Sequence, residues 1–435
     1  MPIRDLALTL IFLAAIPVAF VSPWIGMLFW TWLGLMNPHR KTWGFAYSMP
    51  FAQMVAIPTL IGLVFTHDRR PLPRTRELYL LIALWVVFLL STLGAFYPDD
   101  AWPQLEKVSK ILLMTFVGLM LLQDEKKLRA FIWVIALSIG FYGLKGGIWA
   151  LATGGNERVL GPPESFIEGN TEIGLALNMI LPLLVFLRRQ DSRLWLRHLL
   201  TATLAFSVVA VVFTYSRGAV IGLAVVLGML LLKSRAKFAV AILLALAIPL
   251  GQAFAPPKWF ERMETIQTYE QDSSAMGRIN AWYVAYRLAL DHPVLGAGFR
   301  PFTPEVHHQY MPDTRMPDVD AHNIFFQVLA EHGFTGLALF VALILSILVT
   351  LRSVMKSARQ DSSKDKEWIG SCAQMLEASV VAYVASGMFL SLSYFDLFYY
   401  LVAIAMILKV LVDRPTPQSA DAPAGAAGQP GLLGR

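Results

Sequence analysis

The chain has 435 residues, 56% of them hydrophobic and only 15% charged, with a mean hydropathy of +0.56. Soluble domains carry about a quarter charged residues, so this composition excludes an ordinary soluble protein and predicts an all-α polytopic membrane protein. The formal charge of +6 resides in short loops between apolar runs, which argues against a nucleic-acid surface and reports membrane orientation instead. The single cysteine, Cys372, excludes an intrachain disulfide.

In chain order, apolar runs of spanning length are expected near 6–36, 50–66, 77–96, 106–122, 129–152, 170–188, 197–214, 217–233, 236–254, 323–352, 371–393 and 396–412. The opening MPIRDLALTLIFLAAIPVAF lacks a small-x-small cleavage site and reads as a span rather than a leader. Ser22-Pro23 interrupts the first run, which is either one long broken crossing or two short ones. The basic loops HDRRPLPRTR (67–76), QDEKKLR (123–129), RRQDSRLWLR (188–197), KSRAK (233–237) and RSVMKSARQDSSKDKEW (352–368) alternate with loops poorer in Lys and Arg. The alternation assigns the basic face to the cytoplasm. With the first run counted as one crossing, the expectation is about twelve spans with both termini inside, and NPHRKTW (37–43) becomes a basic loop on the outer face.

The expected organisation is therefore 1–254 as N-terminal transmembrane helices, 255–322 as a large outer loop, 323–412 as C-terminal transmembrane helices and 413–435 as a Pro/Ala/Gly-rich disordered tail. Within the outer loop, DSSAMGRINAWYVAYRLALDHPVLGAGF predicts a helix capped by Ser273 or Ser274, with Ile279, Trp282, Tyr286 and Ala289 at helical spacing. Pro293 and the glycines of VLGAGF end it in a turn. Its single apolar stripe suits a helix lying against the membrane surface.

Three polar residues on the outer side call for a reason. Arg217 stands at the mouth of a span in TYSRGAVIGLAVVLGMLLLK with Ser216 as N-cap, Arg278 falls in the first turn of the loop helix, and His322 precedes a span that Asp320 or Asn323 can cap. A cation at a helix N-terminus opposes the helix dipole, at a cost of about 0.3–1 kcal/mol, so two arginines there point to an anion. Oriented N–H groups with guanidinium forks suit a diphosphate. His322 beside positive groups should hold a depressed pKa and a neutral ring at pH 7, able to accept a proton from an attacking hydroxyl. Each residue alone also has a plain role: arginines at membrane edges snorkel to headgroups, and interfacial histidines pack.

Arg300, Asp320, Asn323, Asn170, Ser216 and Lys145 are further candidates for lining a substrate cavity, with Glu172 near Asn170. Lys145 is an ionisable group within a span and demands a partner or a wet cavity. His307-His308 with Glu305 and Asp313 matches no compact metal-ligand spacing, so no metal is expected. His332, in EHGFTG, reads as structural, Asp396 as a cap, and Trp102 and Trp259 as belt anchors. No nucleotide-binding glycine loop occurs, and no cofactor is expected.

The SRG at a span mouth, the GR-x-x-x-W helix, VLGAGF and the His-Asn opening of the next span, in that order on a polytopic chain, resemble the O-antigen ligase and polymerase superfamily over roughly residues 77–412. The O-antigen ligases and the O-glycosylation ligases found beside exosortase systems are the nearest in pattern. The resemblance implies a GT-C-like inner-membrane glycosyltransferase that takes a glycan from undecaprenyl diphosphate at the periplasmic face and passes it to a lipid A–core sugar. It implies His322 as general base, Arg217 and Arg278 as diphosphate binders, inversion at the anomeric centre, and no metal or ATP. Relatives extend the polymer or glycosylate protein, so the acceptor stays open. A transporter of lipid-linked sugars is the alternative of another class, though it should carry charges near the midplane and matched broken helices.

Overall fold

A computed structural model describes residues 3–233, 256–257, 259, 273–312, 320–360 and 363–414. The expected span at 236–254, Asp313 and the tail after 414 lie outside the described residues. All regular structure among the described residues is helical: α1 (Ile3–Val21), α2 (Pro23–Met36), α3 (Phe51–Phe65), α4 (Arg76–Leu93), α5 (Pro98–Leu121), α6 (Glu125–Ala152), α7 (Asn170–Gln190), α8 (Leu194–Val212), α9 (Arg217–Leu232), α10 (Ser273–Asp291), α11 (Pro304–Tyr310), α12 (Ile324–Arg359), α13 (Lys364–Gly387) and α14 (Asp396–Val412), with two short 3-10 turns at Pro38–Lys41 and Phe45–Tyr47.

Six of these, α1, α4, α6, α7, α8 and α12, are long and apolar enough to cross a membrane. Expected spans at 50–66 and 217–233 correspond to the shorter apolar helices α3 and α9. Those near 106–122 and 371–393 are parts of α5 and α13, whose first turns carry Asp99 and Asp100, or Asp365 and Glu367. The bundle is centred on α7, buried through its middle, and on the nearly fully buried α14, with α12 and α13 packed around α14. Close approach depends on small residues: a Cβ on Gly147 of α6 would stand 2.2 Å from the carbonyl oxygen of Phe206 on α8, so glycine lets these two backbones touch.

The break at Ser22-Pro23 reverses the chain. Pro23 opens α2 at a position that needs no N–H donor, and α2 folds back on α1, with Phe12 stacked on Trp32 at 5.6 Å. Asp5, buried at the other end of α1, accepts the Ala46 N–H at 3.0 Å. The first run is thus a helical hairpin. The N-terminal end lies at the face that carries residues 37–47, which is tied to the loop 153–169 by the Arg40–Glu164 ion pair at 2.8 Å. At the opposite face, Gln123 donates to Pro71 O at 2.8 Å and Arg414 donates to Gln123 O at 3.0 Å. The two described ends of the chain therefore lie at different ends of the helical array. The basic loops 67–76, 123–129 and 188–197 do fall at one face, as their alternation implies.

One further element positions the site. Helix α12 is broken at Gly333, whose φ of 65° and ψ of −168° interrupt the hydrogen-bond ladder. The turn 293–298 fills the gap: Ala297 N–H donates to Ala330 O at 3.0 Å, Gly298 N–H to Glu331 O at 2.9 Å, and Phe334 N–H to Pro293 O at 2.8 Å. VLGAGF and EHGFTG are two halves of one backbone junction. A Cβ at Gly333 would meet Pro293 O at 2.6 Å, so both the dihedral and the space exclude a side chain.

Candidate active site

The loop 153–169 is pinned to the turn between α8 and α9. Val159 N–H donates to Phe213 O at 3.0 Å, Tyr215 Oη to Gly155 O at 2.6 Å, and Asn170 Nδ2 to Thr214 O at 2.8 Å. Ser216 caps α9 as expected, its Oγ accepting the Ala219 N–H at 3.2 Å, and Arg217 is the first residue of that helix. On the other wall, Arg278 lies in the second turn of α10 rather than the first, because the helix already runs from Ser273.

Trp282, one turn further along α10, stacks on Phe326 at 5.3 Å with an interplanar angle of 4° and donates from Nε1 to Ala321 O at 2.7 Å. The Arg-x-x-x-Trp spacing thereby ties the helix of Arg278 to the loop of His322. The packed face of α10 consists of Ala281, Val284, Ala285, Leu288 and Ala289, whereas Ile279, Tyr283, Tyr286 and Leu290 form an exposed apolar stripe. The expected stripe therefore mixed two faces, since Ile279 and Tyr286 belong to the exposed one and Ala289 to the packed one.

His322 is held through its backbone. Its N–H donates to Ser391 Oγ at 2.8 Å. Of the two caps offered by the sequence, Asn323 is the one used: Oδ1 accepts from Phe325 N–H at 2.8 Å and Phe326 N–H at 3.3 Å, while Nδ2 donates to Met388 O at 3.1 Å. Asp320 instead accepts from the Ala321 N–H at 2.8 Å. His322 has φ 44° and Tyr215 φ 57°, the left-handed region, which costs of order 1 kcal/mol for a side-chain-bearing residue and is held by surrounding bonds.

These elements converge on a cavity of about 270 Å³ lined by Arg158, Asn170, Thr171, Glu172, Tyr215, Ser216, Arg217, Gly218, Arg278 and His322. The structure thus unites Asn170, Ser216, Arg217, Arg278 and His322. Burial lowers the His322 pKa below its ordinary 6.5, Asp320 opposes that shift, and Arg278 adds to it, so the ring is neutral at pH 7 as expected. The imidazole thus shares its cavity with three arginines, Arg158, Arg217 and Arg278.

Other candidates fall elsewhere. Arg300 and Asp320 line a larger neighbouring cavity of about 500 Å³, with Gln104, Lys107, Phe166, Phe302, Gln327, Glu331, Ser391 and Tyr394. His322 stands at the partition, because Ser391, which holds its backbone, is a wall of this second space. Lys145 lines a third cavity with Arg4, Arg40 and Lys41, which shares Arg158 with the first. His332 is structural: fully buried between Phe88 and Phe299, it bonds Ser91 Oγ at 2.6 Å and Tyr394 Oη at 2.8 Å. Asp396 accepts the Leu397 N–H at 2.9 Å at the start of α14. Among the described residues no three His, Cys, Asp or Glu side chains gather as metal ligands.

Sequence reasoning missed Arg158 and Tyr215. Arg158 follows Glu157, so the pair reads as a neutral loop; Tyr215 sits within the SRG motif region and was available from it.

Residues 202–341 match the family model described as O-Antigen ligase. That match makes the segment similar to the O-antigen ligase and polymerase superfamily. Residues 3–192 match a second model, described only as a family of unknown function (DUF5935). No curated protein matches the chain. The segment that matches the O-Antigen ligase model supplies Ser216, Arg217, Arg278 and His322, and the segment before it supplies Arg158, Asn170 and Glu172. The cavity is built by both, since α7 packs against α8 and α9.

Proposed function

We propose that the protein transfers an O-antigen-type glycan from undecaprenyl diphosphate to a sugar hydroxyl of lipid A–core at the periplasmic face of the inner membrane. The single observation that supports this is the cavity in which Arg217, Arg278 and Arg158 surround a neutral His322. The guanidinium groups and the N-terminus of α9 bind the diphosphate and stabilise it as leaving group. His322 takes the proton of the acceptor hydroxyl as its oxygen forms the new bond to the anomeric carbon. The bond from that carbon to the diphosphate oxygen breaks, which inverts the centre. The wider cavity beyond Ser391, with its amide, carboxyl and aromatic lining, suits sugar rings.

With purified protein, lipid-diphosphate-linked glycan and lipid A–core, His322→Ala should slow transfer by about 10²–10⁴-fold while donor binding persists. Arg217→Ala should weaken donor binding roughly thirtyfold, for about 2 kcal/mol from a charged hydrogen bond. A full wild-type rate in His322→Ala would overturn the assignment. A product ladder on the lipid carrier, with lipid A–core unmodified, would replace the ligase reading by a polymerase.

A further inference from the structure

A second cationic cavity adjoins the first. It measures about 500 Å³, and its walls include Arg4, Arg40, Lys41, Lys145 and Arg158 but no Asp or Glu. Arg40 has an ion pair, to Glu164 at 2.8 Å. Lys41 does not: its Nζ is buried, lacks a hydrogen-bond partner, and lies over the rings of Phe141 and Tyr142 at 4.1 and 4.2 Å. Burial first, then the neighbouring Lys145 and Arg4, push the Lys41 ammonium down to about 8. Four sequence-distant segments, the start of α1, the 3-10 turn, the outer end of α6 and the loop 153–169, bring these charges together. Such a gathering opposes folding unless an anion occupies it.

The surroundings say what carries the anion. Trp43, Trp149 and Leu160, which line the cavity, are 52–76% exposed. Large apolar side chains around a charged pocket fit an amphiphile, with its chains on that rim and its head within. Arginine forks and ammonium point charges together suit a phosphate monoester or diphosphate.

We infer that this cavity is a second binding site, for a phosphate-bearing lipid headgroup, separated from the diphosphate site of the first cavity by the shared Arg158. On the transfer reading above, to which this role is tied, the occupant anchors the acceptor beside the donor. The binding site itself stands without that reading.

The test uses full-length protein in neutral detergent and measures binding of dihexanoyl phosphatidic acid by native mass spectrometry. The background variant Arg217→Ala removes a cation of the first cavity. Binding in that background is expected to persist, and to weaken at least about tenfold when Lys41→Met and Lys145→Met are added, two charge-assisted contacts being lost. Lys41→Arg should retain it, and unchanged gel-filtration elution checks folding. Dihexanoyl phosphatidylcholine, whose head is zwitterionic, should bind weakly in all variants. Loss of binding in Arg217→Ala alone, or unchanged binding in the double methionine variant, would overturn the site. Inorganic phosphate competing as strongly as the lipid would overturn its assignment to a lipid. Transfer assays with His322→Ala report on the first cavity only, so the two readings fail separately.

Discussion

At the scale of single residues, His322 combines three constraints that rarely meet. Its backbone occupies the left-handed region, its N–H is spent on Ser391, and burial with Arg278 nearby disfavours the imidazolium more than Asp320 restores it. Because the folded pKa lies below 6.5, the base form persists through neutral pH and is lost only as pH falls through that lowered value. The pH profile of kcat/KM for transfer should therefore be flat above neutrality and show an acid limb with its midpoint below 6.5. Asp320→Asn removes the carboxylate that raises the pKa and should move the limb to lower pH. An acid limb centred above 6.5 in the wild type would contradict the assignment of His322 as base.

At the scale of elements, the site depends on a helix that is not continuous. Breaking α12 at Gly333 frees carbonyls at Ala330 and Glu331, and the turn 293–298 accepts the geometry by donating to both. The same junction carries Arg300, whose N–H bonds Glu331 Oε1 at 3.2 Å, into the wall of the larger cavity. Gly333→Ala should destabilise the protein by on the order of 1–3 kcal/mol, because alanine must adopt a positive φ and meet the Pro293 carbonyl. Thermal unfolding in detergent measures this, and a Tm equal to wild type would show that the break tolerates a Cβ. Sequence alone assigned VLGAGF to a loop turn and read EHGFTG only as the setting of a structural His332, because backbone bonding between segments far apart in the chain leaves no local signature.

At the scale of the whole molecule, the hairpin of α1 and α2 decides topology. Each additional reversal exchanges the face of everything before it, so reading one crossing as two moves the N-terminal end from the basic-loop face to the face of the candidate site. Variants with one added cysteine, Cys372 being left in place, report this, since Cys372 is fully buried. Ile3→Cys, Ser48→Cys and Asn156→Cys should react with a membrane-impermeant maleimide from one side, and His67→Cys only from the other. Labelling of Ile3→Cys together with His67→Cys would refute the hairpin.

The sequence by itself determined the helical class and the approximate depth of its polar groups. Hydropathy and loop charge placed Arg217, Arg278 and His322 at one end of a helical bundle, and capping rules found Ser216 and Asn323, because depth and capping are properties of short segments. Only the tertiary structure decided which of those residues meet. Lys145 has the right depth but stands on the part of α6 that faces the 37–43 loop, whereas Arg158, hidden beside Glu157, reaches the cavity of His322 because Tyr215 and Phe213 hold its loop there. Position around the bundle axis is set by helix packing and inter-segment hydrogen bonds, interactions between residues far apart in the chain, so no linear pattern encodes it.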